Sequence, residues 1–156
     1  MTSKKKIELT QPYMSGTELS YIQKAFDTNW IAPIGANVDG FEEALTTYLD
    51  GNKHIAALNS GTAAIHLALI LAGVQKGDEV LCQSFTFSAS ANPITYLGAF
   101  PVFIDSEADT WNMCPVQLEI AINDSIKRGK NIKAILVVDS YGMPFKHTEI
   151  KGISKK

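Results

Sequence analysis

Cysteine is scarce in this chain: Cys82 and Cys114 are the two among 156 residues. They stand at no metal-ligand spacing, and nothing about them points to an oxidising compartment. Cys82 reads as a small buried hydrophobe within a strand. Basic charge is equally thin. Fourteen Lys and Arg face sixteen Asp and Glu, a formal net charge of −2, and this argues against a general nucleic-acid binder, which would show a basic face. The run Lys4, Lys5 and Lys6 reads as a solvated N-terminal tail. No stretch reaches the roughly 18 continuous apolar residues of a membrane span, and the polar N-terminus lacks the apolar segment of a signal peptide. The expectation is a cytoplasmic protein with neither nucleic acid nor membrane as partner. The three histidines do not cluster, so no metal site emerges; His66 falls inside an Ala-rich helical stretch and reads as a packing residue.

What is present is an apolar content of 46%, enough for a real core in a chain the length of one ordinary domain. After residue 50 strand and helix patterns alternate. Four short apolar runs read as buried strands: "HIAALNS" (54–60), 79–83, "AFPVFID" (99–105) and "IKAILVVDS" (132–140). Between them lie helical patterns at 61–74, with Gly73 as a plausible C-cap, at 87–97, broken early by Pro93 or starting near it, and at 114–129, with Pro115 in its first turn. A further helix begins near His147. Such alternation predicts an α/β fold of three layers, with a mainly parallel sheet covered by helices on both faces. Ahead of it, residues 1–50 form a separate arm: an amphipathic helix over 15–29 capped by Ser15 or Thr17, a turn-rich loop "WIAPIGANVDG", and a short helix "FEEALTTYLDG". The sequence stops just after the run 132–140. An open parallel sheet with that edge bare is an aggregation liability, so the sheet is expected to be truncated before it is complete.

Several residues in this frame could do chemistry. Ser60, Gly61 and Thr62 sit where a strand gives way to a helix. Backbone N–H groups at a helix start point outward, the helix dipole favours an anion there, and Gly61 lets a phosphate approach closely. A plain Ser/Thr cap would use the same residues. Neither a Walker loop nor the G-x-G-x-x-G fingerprint occurs. The stretch "SFTFSASANP" (84–93) follows the next strand, at the carboxyl end of the sheet where ligands bind in such folds. An aromatic ring there can lie over a flat ligand; Phe85 and Phe87 are the alternatives for that ring. Asp109 and Asn112 read as turn residues satisfying their own backbone, and Asp139 caps the last strand facing the same edge.

Taken in order, "ALNSGTAAIHLAL", "GDEVLCQSFTFSASANPITYLGAFPVFID", "DTWNMCP" and "VVDSYGMP", preceded by "NWIAPIG" and "FEEAL", resemble the N-terminal part of the DegT/DnrJ/EryC1/StrS family of sugar aminotransferases. The resemblance runs from about Ile7 onward. It is strongest to members that aminate 4-keto nucleotide sugars for bacterial glycans, such as UDP-linked 4-keto-6-deoxy-N-acetylglucosamine. The family implies an enzyme dependent on pyridoxal 5'-phosphate (PLP), with the aspartate-aminotransferase fold. It implies a homodimer with its site at the subunit interface, and an amino group passed from a donor, glutamate by expectation, to a nucleotide sugar. On this chain the family places the cofactor phosphate at Ser60, Gly61 and Thr62, the ring against Phe87, and the nucleotide sugar along Asn29, Trp30, Ile31 and Ala32.

Two departures accompany the resemblance. The family commonly has His before its Tyr-Gly pair, as V-H-x-Y-G, where this chain has Asp139. The family's cofactor-bonding lysine and the aspartate that pairs with the ring nitrogen both follow the matched region, and no lysine here fits that motif. No catalytic residue is therefore assigned within these residues, and the 156-residue chain is expected to be inactive alone. Three other readings stay open at this point. One is a same-fold dehydratase working with the pyridoxamine form, one a non-catalytic truncated remnant, and one an unrelated α/β module binding a different phosphorylated ligand.

Overall fold

A computed structural model describes residues 11–155, so the Lys4–Lys6 run lies outside the described residues. Its backbone divides into two compact units, Met1–Ala57 and Leu58–Lys156, where the sequence suggested a boundary at residue 50.

The first unit holds two helices, α1 (Glu18–Asp27) and α2 (Ala36–Tyr48). At the start of α1 neither Ser15 nor Thr17 caps with its side chain in the usual way. Thr17 is the N-cap without a side-chain bond. Instead the Glu18 carboxylate turns back and accepts the backbone N–H groups of Ser15 at 2.6 Å and Gly16 at 2.9 Å. The loop expected up to Gly40 is shorter than the sequence suggested, because the second helix already begins at Ala36. Gly35, at φ 152°, makes the turn, and its carbonyl accepts from Val38 and Asp39.

The second unit carries the sheet. Its elements run α3 (Gly61–Leu71), β1 (Glu79–Gln83), a 3-10 turn at Ser88–Ser90, α4 (Asn92–Tyr96), β2 (Phe100–Ile104), α5 (Pro115–Lys127), β3 (Ile132–Leu136), a second 3-10 turn at Ser140–Gly142 and α6 (His147–Ile153). The three strands are parallel in the order β2-β1-β3. β1 lies in the middle and is buried from end to end, which explains why "EVLCQ" does not alternate polar and apolar residues. Its side chains split by parity. Val80 and Cys82 join Leu69 of α3 and Ile94 of α4 on one face. Leu81 joins Ile104, Met113, Leu118 of α5 and Ile150 of α6 on the other. The result is the three-layer α/β arrangement the alternation predicted.

Two expected strand segments depart from that pattern. "HIAALNS" is not a strand; it stays irregular until Ser60 caps α3. A strand exists only through a ladder partner, and the sheet β2-β1-β3 does not include this segment. The last strand ends at Leu136 rather than Ser140. Beyond it the Val138 N–H is taken by the side-chain Oε1 of Gln83 at 3.0 Å, so a side chain replaces the ladder and the chain turns out of the sheet.

Candidate functional site

In a parallel sheet all carboxyl ends face one way, and the loops that leave them meet there. Three loops do so here: 84–87 after β1, 105–113 after β2 and 137–143 after β3. The first and third of them border a cleft of about 400 Å³ lined by Phe85, Thr86, Phe87, Ser90, Asp139 and Tyr141, among others. Phe87 is 80% exposed, an unusual position for a phenylalanine, which is ordinarily buried. Phe85, 40% exposed, also reaches the cleft but is held by its neighbours, its ring edge-on to Trp111 with centroids 5.7 Å apart and tilted against Tyr141 at 6.4 Å. One phenylalanine ring is thus braced and the other open.

The backbone near the cleft is strained in two places. Trp111 and Tyr141, both flanking Phe85, have φ of 63° and 54°. A bulky residue in this left-handed region costs roughly 1–2 kcal/mol, so something must hold each in place. Buried carboxamides do this for the Tyr141 loop. Gln83 and Asn112 are both fully buried. Gln83 Nε2 donates to the Phe85 carbonyl at 2.8 Å and to Ser140 Oγ at 3.0 Å. Asn112 Oδ1 accepts the Ser140 N–H at 3.0 Å, and its Nδ2 donates to the Met143 carbonyl at 2.7 Å. Asn112 is therefore not a turn residue serving its own backbone, as the sequence suggested; it bridges to a loop after another strand. A glutamine closing the Val80–Cys82 run of a fully buried strand was the available signal for Gln83.

The outer face of these loops is charged. Lys146 Nζ pairs with Glu107 at 3.0 Å and Asp109 at 2.9 Å, and Glu107 also accepts from the Thr110 hydroxyl. That hydrogen bond, helped by the Asp109 and Thr110 N–H groups and by Lys146 against the opposing effect of burial, holds the Glu107 carboxyl down at about 2. Bonds from Asp109 and Glu107 push the Lys146 ammonium well above its ordinary range. Asp139, the residue in place of the family's usual His, lies on the cleft and accepts the Phe145 N–H at 2.9 Å.

Ser60 has the extended backbone of an N-cap, and its Oγ accepts the Ala63 N–H at 3.2 Å. The N–H groups of Gly61 and Thr62, in the first turn of α3, have no acceptor within the helix. A Cβ built on Gly61 would meet nothing within 4 Å, so the approach to them is open. α3 packs against the Ser88–Ser90 turn and α4, with His66 edge-on to Tyr96 at 5.6 Å, a packing role for that histidine. An open helix start with a hydroxyl cap, no acidic residue in the first turn and a neighbouring segment that presents an uncovered aromatic ring fits a flat, phosphorylated cofactor. The cleft lining includes Phe87 but not Ser60, Gly61 or Thr62.

In the first unit Trp30, Ile31 and Ala32 line a separate cavity of about 610 Å³ together with Lys24, Thr28 and Gly35. Asn29 adjoins it with a left-handed backbone, φ 50°. The Trp30 Nε1 donates to the Ile34 carbonyl at 2.6 Å, and its ring lies so close to Gly35 that a Cβ there would stand 2.2 Å from Nε1.

Residues 12–156 match the model of the DegT/DnrJ/EryC1/StrS aminotransferase family. The chain belongs to that family. Over 146 residues it is 56% identical to EpsN of Bacillus subtilis (strain 168), whose name carries the words pyridoxal phosphate-dependent aminotransferase, covering 94% of this chain and 37% of EpsN. It is 39% identical to the GDP-perosamine synthase of Caulobacter vibrioides over 142 residues, 91% of this chain and 36% of that one. Among solved structures, a DegT DnrJ EryC1 StrS aminotransferase from Brucella abortus superposes with a TM-score of 0.80 at 36% identity, over 88% of this chain and 36% of that one. The chain thus spans little more than a third of the length of these family members.

Proposed function

We propose that the natural protein is a PLP-dependent sugar aminotransferase of bacterial glycan biosynthesis, taking an amino group from glutamate and placing it on a keto nucleotide sugar. The observation that carries this reading is the open start of α3 at Ser60–Thr62, set against the segment that leaves the Phe87 ring bare, in a family-matched chain. When bound, PLP supplies the electron sink for amine transfer. The residues of this chain bind and orient it. The Gly61 and Thr62 N–H groups and the Thr62 hydroxyl hold the phosphate, the Ser60 cap keeps those N–H groups aimed outward, and the Phe87 ring covers one face of the pyridine. Asn29, Trp30, Ile31 and Ala32 receive the nucleotide sugar.

No residue here is given the covalent step. A nucleophilic lysine needs a depressed pKa, and Lys146, beside the loops of the cleft, is held protonated by two carboxylates. The working form is read as a cytoplasmic homodimer. Among the described residues no helix is long and apolar enough to cross a membrane.

The test is product analysis. The full natural chain, purified with PLP, is given glutamate and, in turn, UDP- and GDP-linked 4-keto-6-deoxy sugars. An amino sugar and 2-oxoglutarate, detected by mass spectrometry, are expected. A dehydrated sugar in their place, or no product from any keto sugar, would overturn the reading. The 156-residue chain alone, reduced with borohydride in the presence of PLP, is expected to show scattered, substoichiometric lysine labelling.

A further inference from the structure

The buried amides behind the cleft do more than fill space. Val138 and Ser140 each present a backbone N–H, which only an oxygen can accept. Phe85 and Met143 each present a carbonyl, which only an NH₂ can satisfy. The two carboxamides answer this pattern with a single orientation each. Ser140 joins them: its N–H goes to Asn112, while its hydroxyl accepts from Gln83 and donates to the Phe85 carbonyl at 3.2 Å. Loops leaving all three strands are thereby tied at one point. The loops so tied contain Tyr141, whose left-handed backbone would relax if released, and Phe85, whose ring leans on Tyr141 and Trp111.

We propose that Gln83 and Asn112 are positioning residues: through Ser140 they lock the 138–143 loop and the Phe85 backbone, and so fix the cleft wall that stands with Phe87 around the ligand. This deepens the proposed function and rests on it only for the identity of the ligand. A water-exposed anchor could not hold the wall so well, since solvent would compete for each bond. Buried and fully partnered, the network rigidifies what it holds.

The experiment uses the full natural chain with Asn112→Leu, Gln83→Met and Ser140→Ala. Ser140→Ala removes one half-buried hydroxyl and keeps the test available if either amide variant fails to fold. Two readings are taken: hydrogen exchange of the backbone amides in the cofactor-free protein, and the dissociation constant for PLP by titration. Exchange is expected to rise roughly tenfold at 138–143, equivalent to about 1.4 kcal/mol of lost protection, while amides of β1 and β2 and the melting temperature of Ser140→Ala stay near wild type. PLP affinity is expected to fall by a similar factor, and a variant pairing Ser140→Ala with Gln83→Met is expected to lose less than the sum, because both break one bond. Unchanged exchange at 138–143 would overturn the proposal. So would local opening with unchanged PLP affinity, which would make the network merely structural. If wild-type protein binds no PLP, the proposed function falls, and the exchange arm still decides whether the loop is locked.

Discussion

The two units of this chain are ordered in different ways. Leu58–Lys156 is organised around β1, which buries all five of its residues between helical layers. Met1–Ala57 has well-formed helices, but neither α1 nor α2 contains a buried residue, and Leu19, Ile22, Phe26 and Phe41 stand exposed along them. Helical order by itself is marginal at such lengths, since most helical stability in proteins comes from a packed face. The first unit is therefore shaped by local devices, such as the Glu18 cap and the Trp30–Ile34 bond, and the second by burial. That contrast predicts where substitutions should hurt.

The largest effect is expected in β1. Leu81→Ala removes a fully buried side chain and should cost about 2–5 kcal/mol in denaturant unfolding. A smaller, pH-dependent effect is expected at the edge of the cleft. Glu107 has its carboxyl lowered from an ordinary 4.5 to about 2, so its contribution is fully present above pH 4.5 and is lost as pH falls from there toward 2. The melting temperature of Glu107→Gln should accordingly converge on that of wild type in that window and lie below it at neutral pH; parallel curves would remove the assigned role. In the first unit, Gly35→Ala should displace the Trp30 ring, because a Cβ would sit 2.2 Å from its Nε1, and strain a backbone at φ 152°. The expected cost is about 1 kcal/mol, with a shift of Trp30 fluorescence toward that of solvated indole. The smallest effect belongs to Ile22→Ala, exposed on α1, expected within about 0.5 kcal/mol of wild type. If it matched Leu81→Ala, the contrast between the units would be wrong.

Much of the second unit could be read from residues alone. β1 lies where the "EVLCQ" run put it, α5 starts at Pro115, and the alternation of strand and helix carried the three-layer fold because buried parallel strands are continuous apolar runs. The misread strands share one cause. "HIAALNS" is apolar enough for a strand, but pairing is a property of neighbours and not of the segment, and the run at 137–140 leaves the sheet because Gln83 captures the Val138 N–H. The site divides in the same way. Ser60 as a helix cap follows from local pattern, while the choice of Phe87 over Phe85 comes from the family resemblance. The Gln83–Ser140–Asn112 network does not, since it joins positions 28 and 57 residues apart in sequence, and no periodicity reports such a contact.

The start of α3 is the proposed seat of the cofactor phosphate. A crystal structure of the full natural chain with bound PLP tests it directly. The phosphate oxygens are predicted to lie within hydrogen-bond reach of the Gly61 and Thr62 N–H groups, about 2.7–3.2 Å, with the ring against Phe87, and Gly61→Val, whose Cβ would meet no protein atom within 4 Å, should lose that density while keeping the fold. A phosphate bound elsewhere, or a Gly61→Val protein that holds PLP in the same place and to the same occupancy, would contradict the account.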